Sequence, residues 1–124
     1  MNIALWIGQV LLALAFLGAG YSHSIAYERS SKRPGMAWMK ALPPVMVRTI
    51  GILEILGAIG LIVPALSGIQ SWLTPLAAAL LGVVMVLAIG FHLSRRETPN
   101  AAFNAILGVL AFAIAFGRFG VSPF

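Results

Sequence analysis

Four polar side chains stand out from an otherwise apolar sequence: Glu54, His23, His92 and Asn104. Glu54 is the sole acid in the uncharged run Ile50–Val63, nine residues past Val45. That places it roughly 14 Å into a helix rising 1.5 Å per residue. Holding a charge at such depth costs at least about 2.5 kcal/mol, so an acid there needs a partner or a task. The task open to Glu54 is to bind or protonate a group entering from the cytoplasmic half. The plain structural alternative is a neutral acid bonded to a backbone carbonyl, or a buried ion pair with an arginine. His23 and His92 fall near the cytoplasmic ends of two different helices, at comparable depths. Two imidazoles in that position could carry protons beside a bound lipid or quinone. They could also ligate a haem, but two histidines with no further haem signature argue against it. With Asn104 near the start of the last helix, these residues form the candidate ligand-binding or proton-handling site.

Two arginines belong to the same apolar setting. Arg48 precedes Glu54 by six residues, about 120° round the helix, so it meets headgroups or another helix instead of pairing with that acid. Arg118, at the far end of the last helix, is expected to snorkel to the headgroups as an interfacial anchor. The third acid, Glu97, follows Arg95 and Arg96 in a connection and is read as solvated. No Ser/His/Asp arrangement, phosphate-cradling glycine loop or carboxylate cluster for a metal is present, so no catalytic residue is assigned. Cysteine is absent, which removes thiol chemistry, disulfides and Cys-based metal sites.

The elements that must position these side chains are membrane spans. Of the 124 residues, 60% are hydrophobic and only 9% charged, with a mean hydropathy of +1.00. Soluble domains carry about 25% charged residues, so a soluble fold could not be covered with so few. The spans read as Ile3–Ile25, Val45–Leu66, Leu73–Leu93 and Ala101–Arg118, near the length of about 20 residues that a bilayer core requires. An all-α membrane fold follows, an antiparallel bundle of four transmembrane helices forming a single domain over residues 1–124. Met1–Ala26 is read as the first span and not a cleaved signal peptide, because it lacks a charged leading region and its apolar stretch is too long.

The net charge of +5 makes no nucleic-acid patch. Arg29, Lys32, Arg33 and Lys40 lie in the first connection and Arg95 and Arg96 in the third, whereas Ser67–Trp72 carries no charge. The positive-inside rule then puts both basic connections in the cytoplasm and both termini outside an inner (plasma) membrane. The charge is topogenic and touches anionic headgroups of the lipid bilayer. Trp6 and Trp72 would mark the outer interface, and Tyr21, Tyr27 and Trp38 the inner one. Within the first connection, Met36–Leu42 is either a short interfacial helix or an irregular link anchored by Trp38. A loose echo, Gly20-Tyr-Ser-His23 against Gly90-Phe-His92 and Ile55-Leu-Gly57 against Ile106-Leu-Gly108, would suit two related helical hairpins.

Taken in order, Gly20-Tyr-Ser-His23, Gly51-Ile-Leu-Glu54 with Gly60-Leu61, Ala88-Ile-Gly-Phe-His92 and Gly117-Arg-Phe119 resemble the DoxX-like family of small four-helix membrane proteins. The resemblance runs over nearly the whole chain. It implies a polytopic membrane protein whose wider relatives include the membrane subunit of a thiosulfate:quinone oxidoreductase and proteins that assist maturation of other proteins. The matched positions are His23, Glu54, His92 and Arg118. The expected function is an accessory or assembly subunit that binds another membrane protein, with a lipid or quinone near Glu54 and no independent catalysis. The alternative is a proton-handling subunit of a quinone-linked redox complex. A small transporter or channel would need a water path that only a homo-oligomer could provide.

Overall fold

The computed structural model describes residues 2–121 and 123. Four long helices carry the chain: α1 (Asn2–His23), α2 (Pro44–Ser67), α3 (Leu73–Ser94) and α4 (Thr98–Phe116), the last continued by a wider turn at Gly117–Val121. Each is long and apolar enough to cross a membrane. The protein is therefore a multi-pass membrane protein. Proline sets two of the helix starts. Pro44 and Pro99 lie in first turns, where a missing N–H costs nothing, so α4 begins three residues before the expected Ala101.

Along each helix the outward residues are as apolar as the inward ones. Ile7, Leu11 and Leu14 on α1 are exposed, as are Ile52, Leu56 and Ile59 on α2. A soluble helix would carry charge there; a helix apolar all round belongs in lipid. Burial is consequently decided by shape. Leu12, Phe16, Leu61, Leu81 and Ile114 fill the centre of the bundle. The close contacts are made by small residues, as expected where lipid supplies no hydrophobic force between helices. Gly20 lies against Gly51, Gly60 against Ala77, Gly82 against Phe112 and Gly8 against Ile114. Gly20–Gly51 and Gln9–Leu61 join α1 to α2, and Gly57–Leu81 and Gly60–Ala77 join α2 to α3; within each pair the numbering runs in opposite senses, as antiparallel neighbours require. Contact is densest between α1 and α2 and between α3 and α4, so the bundle is two helix pairs laid side by side.

Backbone polarity is settled inside the bundle even where proline interrupts it. Pro64 lacks the N–H that would bond the Gly60 carbonyl, and the Thr74 hydroxyl of α3 donates to that oxygen at 3.0 Å. The next carbonyl, that of Leu61, accepts from the Gln9 side chain of α1 at 2.8 Å. Both helices flanking α2 are thus stitched to it at the same level.

The first connection is ordered into a helical turn at Tyr27–Ser30 and a 3-10 turn at Ala37–Ala41. The short helix in Met36–Leu42 is therefore present. Met39 anchors it by packing with Tyr27 and Val47, and the Tyr27 hydroxyl donates to the Met39 carbonyl at 3.3 Å. Asn100, at the start of α4, donates to the Gly35 carbonyl at 3.2 Å and ties the connection to the other helix pair.

Candidate functional site

Glu54 and His23 meet because of the way helical side chains lean. In any α-helix they tilt toward its N-terminus, and α1 and α2 run in opposite directions. His23 follows Gly20 by one turn and leans back into the bundle, while Glu54 follows Gly51 by one turn and leans out toward it. The close Gly20–Gly51 approach brings the two helices near enough for Nδ1 of His23 and Oε1 of Glu54 to lie 2.6 Å apart. Glu54 is only 2% exposed, so this acid faces a helix seam and not lipid.

A second imidazole–carboxylate contact is built from a helix end. At the C-terminus of α3 the chain turns through Arg96, in the left-handed region with φ 59°, and the Glu97 N–H returns to the His92 carbonyl at 2.8 Å. This brings Glu97 Oε1 to 2.9 Å from His92 Nδ1 and 3.2 Å from Arg95 Nε. Glu97, expected to be solvated, is instead half-buried and engaged, because a tight turn folds it back over the helix end. Burial pushes its carboxyl up, but the hydrogen bonds from His92 and Arg95 outweigh this and hold it below the ordinary value of 4.5. A carboxyl that binds protons more weakly in the folded chain contributes stability above its ordinary value and loses it as pH falls below. Glu97→Gln is therefore expected to melt at a lower temperature than the parent at neutral pH. The gap should close as pH falls through the carboxylate range, and a gap independent of pH would count against the contact.

Trp38 joins the two pairs. Its ring lies 5.1 Å from the His23 ring and 5.2 Å from the His92 ring, edge-on to both, with Phe91 at 6.1 Å. Sequence reading assigns Trp38 only an interfacial role, since nothing local predicts which rings a connection will cover. With each carboxylate accepting from Nδ1–H, the acceptor left on each imidazole is Nε2. No protein group bonds either Nε2 among the described residues. A carboxylate behind an imidazole fixes its tautomer and ring orientation, which leaves Nε2 of each ring as an acceptor for a ligand hydroxyl.

Asn104 stands apart. It is half-buried on α4, about 10 Å along the chain axis from Glu97, and bonds none of the other three. His23, Glu54 and His92 are brought to one end of the bundle; Asn104 is not linked to them. Arg48 donates to the Ser24 carbonyl, just past the end of α1, at 3.0 Å and lies over the Tyr27 ring, 3.8 Å from Glu28.

Arg118 does not snorkel. It is 2% exposed and turned into the opposite end of the bundle, where Nε donates to Gln9 Oε1 and Nη1 to Asn2 Oδ1, each at 2.7 Å. Its guanidinium also lies over the Trp6 ring at 5.6 Å. The reason is helical phase: Arg118 continues the buried stripe Leu107, Ala111, Ile114. Gln9, fully buried, was missed by sequence reasoning; a lone amide in the uncharged first span was the available signal.

Among the described residues no group of three or more His, Cys, Asp or Glu could hold a metal ion. Neither curated proteins nor solved structures give a match to this chain. A family model, that of the DoxX-like family, matches residues 7–114, nearly the whole sequence. With four apolar membrane-length helices and a match of that extent, the chain belongs to the DoxX-like family.

Proposed function

We propose that this protein is an accessory or assembly subunit of the inner membrane that binds a quinone at the His23–Glu54 end of its bundle. The observation that carries the reading is the 2.6 Å contact between His23 and a Glu54 that is almost wholly buried in a membrane-length helix. An intramembrane acid held by an imidazole is a functional arrangement by default. A quinol hydroxyl can donate to an imidazole Nε2, and Trp38 and Phe91 offer apolar ring surface beside it. Four membrane-length helices make up most of the described residues, which suits a role beside another membrane protein. The basic connections at this end support a cytoplasmic placement, with both termini outside.

The second imidazole–carboxylate pair favours one further reading, that the subunit handles protons in a quinone-linked redox complex. The test of the first reading is native mass spectrometry on gently extracted protein, comparing the parent with Glu54→Gln. A prenyl-quinone adduct is expected on the parent and at least tenfold depleted on the variant. Bare protein in both samples, or an adduct retained in both, would remove the quinone from this site. Loss of the adduct on His92→Ala as well would move the balance to the proton-handling reading.

A further inference from the structure

We propose that the end of the bundle bearing His23 and His92 is a docking surface for anionic phospholipid headgroups, with Arg96 as one of its contact residues. Seven of the eight Lys and Arg lie at this end, and the eighth, Arg118, is buried at the other. The acids at this end are already used. Glu54 holds His23, Glu28 lies against Arg48, and Glu97 is shared by His92 and Arg95. Five cations remain that no carboxylate approaches within 4 Å among the described residues: Arg29, Lys32, Arg33, Lys40 and Arg96. All five are exposed. They occupy the connections directly following α1 and α3 and preceding α2 and α4, which is where helices that fill a bilayer core meet its phosphates. Their complement is therefore a layer of negative headgroups.

Arg96 adds an argument independent of charge counting. It occupies the position after a helix C-cap, in the left-handed conformation that glycine adopts freely and other L-residues resist. Its side chain makes no hydrogen bond or ion pair with the described residues. The backbone would be better served by glycine, so the fold gives no reason for an arginine here. A charge presented to an external anion does.

Each Lys or Arg near an anionic surface is worth about fivefold in binding. The full-length protein would be placed in nanodiscs of equal phosphatidylcholine and phosphatidylglycerol, and the lipids it retains counted by native mass spectrometry. The expected result is excess phosphatidylglycerol on the parent, reduced about fivefold by Arg96→Gly and about 25-fold by Lys32→Gln with Arg33→Gln. Arg96→Gly should at the same time melt at a higher temperature, because it relieves the backbone; this separates lost binding from lost folding. Equal retention of the two lipids would overturn the proposal, as would an unchanged ratio in an Arg96→Gly protein of raised stability. A soluble anion is distinguished by adding inorganic phosphate to the protein in neutral detergent. Stabilisation by phosphate equal to that by phosphatidylglycerol would assign the surface to soluble anions and overturn the lipid. The outcome is independent of any ligand at Glu54.

Discussion

Gly51→Leu is expected to destabilise the bundle by about 3 kcal/mol or more and to separate His23 from Glu54. A Cβ on Gly51 would lie 2.7 Å from the Gly20 carbonyl oxygen and 2.9 Å from the Ser24 nitrogen. Both are backbone atoms, so no rotamer change relieves the clash and α1 must move as a whole. Even alanine, which gains about 1 kcal/mol over glycine in helix propensity, meets the same two atoms with its only side-chain carbon. Gly18 supplies the control. Nothing lies within 4 Å of a Cβ there, so Gly18→Leu should cost no stability and gain up to about 1 kcal/mol from helix propensity. Thermal melting in detergent reads the stability. Nitrogen NMR of the imidazoles reads the His23 contact, which should disappear in Gly51→Leu and persist in Gly18→Leu. If Gly51→Leu kept both, the close approach of α1 and α2 would not be what builds the site.

The second large effect is expected at the other end of the bundle. Gln9→Leu conserves volume but removes both ends of a bridge: the donor to the Leu61 carbonyl and the acceptor for Arg118 Nε. An unsatisfied buried group costs about 1–3 kcal/mol, and more where a charge is involved, so the loss should total about 3 kcal/mol or more. Arg118→Met leaves Gln9 Oε1 and Asn2 Oδ1 without this donor and should cost a comparable amount. The double variant should lose less than the sum by at least about 1 kcal/mol, since each change removes the other's stranded partner. Additive losses would mean that Gln9 and Arg118 act separately. Denaturant unfolding in mixed micelles gives all three values.

The four spans were legible because hydropathy and length are local quantities, and the helix ends at Pro44 and Pro99 because proline is. That Glu54 needs a partner or a task was legible from its isolation in the apolar run Ile50–Val63. Its partner was not. His23 lies 31 residues away, and their meeting depends on the register of α1 against α2, which the glycine contact sets. Apolar helices leave no amphipathic stripe to reveal that register, and the same lack hid the inward phase of Arg118. The ring contacts of Trp38 were not legible either, because its neighbours His23 and His92 come from helices that only the folded bundle brings together. Gln9 was overlooked for a different reason. An amide carries no charge to draw attention, although its burial in an apolar helix raises the same question as an acid's.

Between the two polar ends lies a continuous apolar band. α1 carries no polar side chain from Val10 to Ala19, and α2 none from Ile55 to Val63. Leu12, Phe16 and Leu61 close the centre with no measurable exposure. Were the proposed site to take up a proton, that proton would in a single copy exchange with one aqueous phase and return to it. A full cycle of uptake and release there would move no net charge across the membrane, whatever part of the field the proton crosses on entering. Proteoliposomes held under a potassium diffusion potential should show no steady proton flux through this chain, and a sustained flux would require a second path through the band.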